Sequence, residues 1–254
     1  MPGPDDLLAV TSVAAGGEGV ARESSGRVVF VDGALPGERV RAAVTDERRH
    51  HARAVLVEVV ESAPARVPPP CEFVAAGCGG CGWQHVDSEA QRALKASMVA
   101  EALARLGGVE VPAVSPGPAL PTTGYRTTLR GVADIEGRFA LRRHRRHDLV
   151  AVPACLVAHP RLAAVAAVGR YPPGSEVTIR VGARTGDRMV IVDAPEGSDR
   201  GAVEVPDGVR VVTGAELAGG RRAWLFEVVA GVRLRVSARS FFQTRPDGAA
   251  ALAT

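Results

Sequence analysis

Three cysteines fall within eleven positions of this chain, at Cys71, Cys78 and Cys81 in the run Cys-x6-Cys-Gly-Gly-Cys, and a fourth stands far downstream at Cys155. A Cys-x-x-Cys pair lets two sulfurs converge on one ion or cluster. The intervening Gly79 and Gly80 permit a tight turn whose backbone N–H groups face the sulfurs. A third thiolate upstream and one remote thiolate complete a four-sulfur set, which reads as a metal centre and not as a disulfide framework. Structural zinc sites favour two close pairs, whereas three clustered thiolates plus a distant one suit a cubane iron–sulfur cluster. Cys155, in Val-Pro-Ala-Cys-Leu, also has the plainer reading of an ordinary buried cysteine. Only four thiols in 254 residues, three of them clustered, point to a reducing cytoplasm.

Positive charge is the second feature. Arg126, Arg130, Arg138, Arg142, Arg143, Arg145 and Arg146 lie within residues 121–150 against Asp134, Glu136 and Asp148, a local excess of four that His144 and His147 raise when protonated. Such a basic strand edge suits an RNA backbone, although a solvated hairpin tip would look the same. The whole chain carries only +3, and its basic residues are arginines apart from Lys95, with no asparagine anywhere. That bias fits a GC-rich genome, so arginine abundance alone says nothing about phosphate. Trp83 and Phe241-Phe242 are the aromatic groups placed to stack on bases; one ring of the phenylalanine pair at least is expected in the core. No dinucleotide-binding glycine fingerprint, P-loop or nucleophile elbow is present.

These groups need a scaffold, and 46% apolar residues can build one. Leu8–Val13, Gly19–Arg22, Val28–Val31, Arg39–Val44 and Ala54–Val60, with the turn dipeptide Asp32-Gly33, predict an all-β unit of about five strands, the size of an OB-like barrel, over residues 1–62. A proline-rich linker follows. Ser88 and Gln91 read as a capping box opening a helix whose apolar face is Leu94, Met98, Ala102, Leu103 and Leu106, ended by Gly107-Gly108. The remainder, to residue 240, reads as an α+β domain: strands at Tyr125–Val132, Phe139–Arg143, Leu149–Val152, Glu176–Val181, Met189–Val192, Val209–Val212, Trp224–Val229 and Val232–Val236, and one helix over Arg161–Val168. A last helix begins at Asp247. No apolar run reaches membrane-spanning length, and the N-terminus lacks signal-peptide character.

In this order, Leu-Pro-Gly-Glu-Arg-Val at 35–40, Cys-x6-Cys-Gly-Gly-Cys-x2-Gln-His at 71–85, Tyr125-Arg126, Cys155 and Phe241-Phe242-Gln243 resemble the RNA uracil-5-methyltransferases. The resemblance implies a TRAM domain (1–62), a central domain with a 4Fe-4S cluster (63–240) and the start of a class I methyltransferase domain (241–254). By that match Cys71, Cys78, Cys81 and Cys155 are cluster ligands, and Gln243 contacts S-adenosyl-L-methionine. Arg126, Arg130, Arg142, Arg143, Arg145 and Arg146 are expected on structured RNA, ribosomal or transfer, with neither DNA nor membrane as partner and the protein a cytoplasmic monomer. The chain departs from the family at Thr127 and Thr128, which stand where Asn and Lys are usual, and at Arg245, which stands for Asn.

Methylating uracil C5 needs a thiolate on C6, methyl capture by the resulting enolate, and a base to remove the C5 proton. With all four thiols claimed by the cluster, and the family's nucleophile and Rossmann-like domain lying beyond Phe-Phe-Gln, the chain is expected to be truncated and inactive alone. The other reading is a stand-alone RNA-binding iron–sulfur protein, and a zinc module is a third.

Overall fold

The computed structural model describes residues 7–110, 113–195 and 203–253. It divides into two compact units, one of residues 1–70 with 81–119 and one of 71–80 with 120–254.

The first unit is built on a closed barrel, β1-β2-β3-β5-β4, of β1 (Leu8–Val13), β2 (Gly19–Arg22), β3 (Val28–Asp32), β4 (Arg39–Glu47) and β5 (His51–Glu61). All pairings are antiparallel except β3 with β5, and Leu8 opposite Val40 closes the ring. Alternating side chains fill the interior with Val10, Ala21, Val29, Val31, Val40, Ala52 and Ala54. Gly19 is obligatory here, since a Cβ would lie 2.7 Å from the Ala34 carbonyl oxygen and 2.8 Å from Val10. The expected five-stranded barrel and its end near residue 62 match this arrangement.

A polar plug closes the first unit. The fully buried Glu38 carboxylate accepts from Arg66 Nε at 2.5 Å and Nη2 at 2.8 Å, and from the Leu35 N–H at 2.8 Å. Beside it, Leu35, Ala63 and Val86 form a small apolar cluster with Trp83 and Leu94 against it.

Helix α2 (Ser88–Gly107) starts at the residue expected to cap it, and its cap lies one residue earlier. Asp87, not Ser88, is the N-cap, accepting from the Glu89 and Ala90 N–H groups, while the Gln91 amide donates to the Trp83 and Val86 carbonyls. Gly108, at φ +60°, ends it as expected. None of its residues is fully buried, and Leu103 and Leu106 of the predicted apolar face are exposed. By its contacts the segment 81–119 groups with the first unit.

The second unit holds a six-stranded sheet, β11-β10-β9-β6-β7-β8, of β6 (Thr128–Ala133), β7 (Phe139–Arg142), β8 (Leu149–Ala151), β9 (Glu176–Val181), β10 (Arg188–Asp193) and β11 (Arg210–Thr213). One face packs Leu129, Val177, Ile179, Val190 and Val192 on helix α3 (Pro160–Val168) through Leu162 and Val165. On the other face Met189, Ile191 and Val212 meet Leu225 and Val236 of the hairpin β12 (Trp224–Val229) and β13 (Val232–Ser237). Two one-turn helices escaped the sequence reading because a single turn shows no periodicity: α1 (Glu72–Ala75) and α4 (Gly214–Ala218), the latter with a Thr213/Glu216 capping box. The terminal helix α5 (Pro246–Ala253) opens on Pro246, so Asp247 sits inside its first turn instead of capping it. No helix among the described residues is long and apolar enough to cross a membrane.

Candidate nucleic-acid interface

The period of two along β6 and β9 puts apolar residues on one sheet face and leaves Thr128 and Arg130, Thr178 and Arg180 on the other. In register, Thr128 faces Arg180 and Arg130 faces Thr178, a checkerboard of hydroxyls and guanidinium groups. These side chains floor a cavity of about 690 Å³ that Gly79, Gly80, Arg126, Glu176, Asp193 and Arg239 also line, with Ser240, Phe241, Phe242 and Thr244 along its rim. Glu176 pairs with Arg142 at 2.5 Å, and Asp193 with Arg239 at 2.6 Å. Both acidic groups are thereby matched, and Arg126, Arg130 and Arg180 set the sign of the cavity.

Arg180 is the group the sequence reading missed. It is only 5% exposed and donates to the Ser237 and Ala238 carbonyls at 2.8 Å each and to the Ser240 carbonyl at 3.1 Å. Burial, reinforced by the charge of Arg130, draws its guanidinium below the ordinary arginine range. An anion entering the cavity would find this positive charge already desolvated. The strand alternation Glu-Val-Thr-Ile-Arg-Val held the signal, because the arginine falls on the polar side.

The segment carrying Phe241-Phe242-Gln243 is tied down from both ends. Thr127, itself buried, gives its N–H and hydroxyl to the Thr244 carbonyl at 2.7 and 3.2 Å. Arg245 stacks on the Tyr125 ring at 4.2 Å, donates to the Pro121 carbonyl and pairs with Asp247. Thus Thr127 and Arg245, two of the departures from the family pattern, make local contacts that hold this segment. Phe242 packs into the core beside Met189 and Ile191, whereas Phe241 is 85% exposed at the cavity rim. Gln243 is exposed between two rim residues and is not among those lining the cavity.

Of the predicted RNA-facing arginines, Arg126 and Arg130 meet in the cavity, Arg126 also reaching the Gly80 carbonyl at 3.3 Å. Arg143, Arg145 and Arg146 instead occupy the exposed β7–β8 turn, closed by the Arg143 N–H to the Asp148 carbonyl, with Arg145 at φ +54°. Arg138 is neutralised by Asp134 and Glu136.

The β7–β8 turn also braces the thiol loop. Gly79 N–H donates to the Arg142 carbonyl and His144 N–H to the Gly77 carbonyl, and a Cβ on Gly79 would sit 3.0 Å from the His144 backbone. The Gly79 N–H is therefore engaged by Arg142 instead of facing a sulfur as expected. Cys71 precedes α1, Cys78 N–H returns to the Phe73 carbonyl, and Cys78 and Cys155 both pack against the second unit's apolar core. Cys81 opens the returning segment of the first unit. Among the described residues no three His, Cys, Asp or Glu side chains gather as a metal site. All four thiols are half-buried, and thiolates are the donor type that zinc and iron–sulfur clusters take.

Residues 7–57 match the TRAM domain family. The chain is 35% identical, over 97% of its length, to an uncharacterized RNA methyltransferase of Streptomyces avermitilis, of which it covers 62%. With the 23S rRNA (uracil(1939)-C(5))-methyltransferase RlmD of Halomonas elongata it shares 41% identity over 62% of this chain and 33% of that protein. The crystal structure of a Pyrococcus abyssi tRNA (uracil-54, C5)-methyltransferase in complex with S-adenosyl-L-homocysteine superposes with a TM-score of 0.61 over 96% of this chain and 63% of that one, at 19% identity. The chain spans about three-fifths of the length of the curated Streptomyces relatives it matches.

Proposed function

We propose that this chain is the RNA-holding part of an S-adenosyl-L-methionine-dependent RNA uracil-C5 methyltransferase, working as a monomer in a reducing cytoplasm. The observation that carries the reading is the cavity of the second unit, a cationic floor of Arg126, Arg130 and Arg180 beneath an exposed Phe241. The TRAM match and the names of the relatives support it. Arg126 and Arg130 reach phosphate oxygens, Thr128 and Thr178 offer hydroxyls to sugar or base edges, and the Phe241 ring is placed for stacking on an unpaired base. Gln243, one residue on, is offered to S-adenosyl-L-methionine. Arg143, Arg145 and Arg146 extend the positive surface along the β7–β8 turn.

Cys71, Cys78, Cys81 and Cys155 would hold a 4Fe-4S cluster, which when bound supplies a rigid cross-link. Those are all the cysteines in the sequence, so none is left to add to uracil C6, and methyl transfer calls for a nucleophile from outside these 254 residues.

Two measurements test the reading. For folded tRNA or a ribosomal RNA stem–loop, log Kobs against log salt is expected to fall with a slope of about −3, as four phosphate contacts would give. The R126Q/R130Q pair should make it shallower by about 1.5; binding without salt dependence sinks the phosphate assignment. For the ligand set, anaerobically purified protein should contain iron, and Cys155→Ser should lose most of it. Full iron retention in that variant removes Cys155 from the set, and zinc in place of iron replaces the cluster reading.

A further inference from the structure

The outer face of the β12–β13 hairpin carries a repeated pairing that the cavity does not use. Trp224, Phe226 and Val228 share this face with Arg233, Arg235 and Ser237, the alternate positions Leu225, Glu227, Val229 and Val236 being buried on the opposite side. Phe226 is registered opposite Arg235, and Val228 opposite Arg233. Each guanidinium reaches past its direct partner to the next ring along. Arg233 Cζ lies 3.8 Å from the Phe226 centroid and Arg235 Cζ 5.3 Å from that of Trp224. The same diagonal step is taken twice, giving two cation–π rungs in file. Both arginines are exposed, and neither is paired with a carboxylate among the described residues.

We propose that this ladder is a second nucleotide-binding surface, a stacking platform for unpaired RNA. A guanidinium over a ring can offer a face to a base and its N–H edge to a phosphate, joining both modes by which proteins hold single strands. Spacing selects the strand. Same-face residues of a β-strand repeat about every 7 Å, twice the 3.4 Å advance per nucleotide of a stacked helix, so bases must be unstacked to meet successive rungs. A duplex cannot do this. The proposal rests on the RNA-binding reading above and adds a site to it.

The test uses the full chain with Trp83→Phe, which leaves Trp224 as the only tryptophan. The probe is a ten-nucleotide oligouridylate with a fluorescent end label, followed both by label anisotropy and by Trp224 emission. Binding is expected to quench Trp224, and R233Q/R235Q is expected to raise Kd tenfold or more. The R233K/R235K pair should restore the salt slope of the parent without restoring the quench, because lysine keeps the charge and lacks the plane. If anisotropy reports binding but Trp224 emission is unmoved and R233Q/R235Q binds as the parent does, the platform is wrong and the RNA reading stands. If neither oligouridylate nor folded RNA changes the anisotropy, both fall together.

Discussion

Glu38→Gln is expected to lower the melting temperature of the first unit by about 10 °C and to leave the second unit where it was. The carboxylate is fully buried and takes four hydrogen bonds, two from Arg66 and one each from the Leu35 and Ala63 N–H groups. Glutamine keeps the shape but removes the charge, stranding a mostly buried guanidinium whose remaining contact is the Gly33 carbonyl. Breaking one side of a buried pair costs about 3–5 kcal/mol. At about 4 °C per kcal/mol for a unit of this size, the shift reaches about 10 °C or more and is easily resolved. The chain supplies its own reporters, Trp83 in the first unit and Trp224 in the second, read one at a time after replacing the other with phenylalanine. A shift below about 3 °C in the Trp83 transition would show that the pair contributes little.

The same pair sets an acid limit. Burial alone would raise the Glu38 carboxyl, but the Arg66 hydrogen bond, the Leu35 N–H and the Arg66 charge outweigh it and hold the group below the usual carboxylate range. A lowered folded-state value means that the unfolded chain binds the proton more readily. The stabilisation is therefore complete above the unfolded value, near 4.3, and drains away as pH falls through the folded one. His85, pushed down by burial and then by the charge of Arg66, acts with the same sign starting below about 6.5. The first unit should thus weaken gradually below pH 6.5 and steeply in acid, and E38Q should flatten the steeper limb.

Arg180→Gln is expected to cost RNA affinity tenfold or more without unfolding the sheet. Glutamine is too short to reach the three carbonyls that Arg180 gathers at 237, 238 and 240, and those bonds hold the turn leading into Phe241 and Phe242. Leaving the buried Ala238 carbonyl without Arg180 costs about 1–3 kcal/mol at the outset, while the Ser237 carbonyl keeps the Ser240 N–H, and water entering the cavity will recover part of the cost. The site loses its desolvated charge and the placement of its exposed ring at once. Hydrogen exchange should show faster exchange at Ala238 and Ser240, whose N–H groups bond the Ala223 and Ser237 carbonyls, with β9 and β10 still protected. Unchanged exchange in 237–244 together with unchanged RNA affinity would mean that Arg180 merely fills space.

Local pattern settled much of this molecule. The five barrel strands, the β9, β10, β12 and β13 runs and the helix over Pro160–Val168 follow from period-two alternation, turn glycines and proline, all of which act over a few residues. The cysteine block and the Phe-Phe-Gln run were legible for the same reason, being short and contiguous. Helix α2 was legible as a helix but not as a neighbour. Its Leu-Met-Ala-Leu stripe is a proper amphipathic face, yet which unit it joins depends on where residues 63–70 and 81–87 return along the barrel, through Arg66 to Glu38 and Val67 to the His85 carbonyl.

Tertiary structure alone decided which charges act. Arg138 is silenced by Asp134 and Glu136, four and two residues away in the β6–β7 turn, whereas Arg130 faces the cavity because strand register turns its side of β6 there. Register likewise placed Arg180 under the 237–240 turn, 57 to 60 residues away in sequence, and set Arg233 and Arg235 over Phe226 and Trp224. The sequence by itself determined the elements and the donor types, since those are properties of neighbouring residues. Only the folded chain could choose the partners, since a guanidinium binds whatever carbonyl or carboxylate the sheet delivers within hydrogen-bond reach, or whatever ring within about 6 Å.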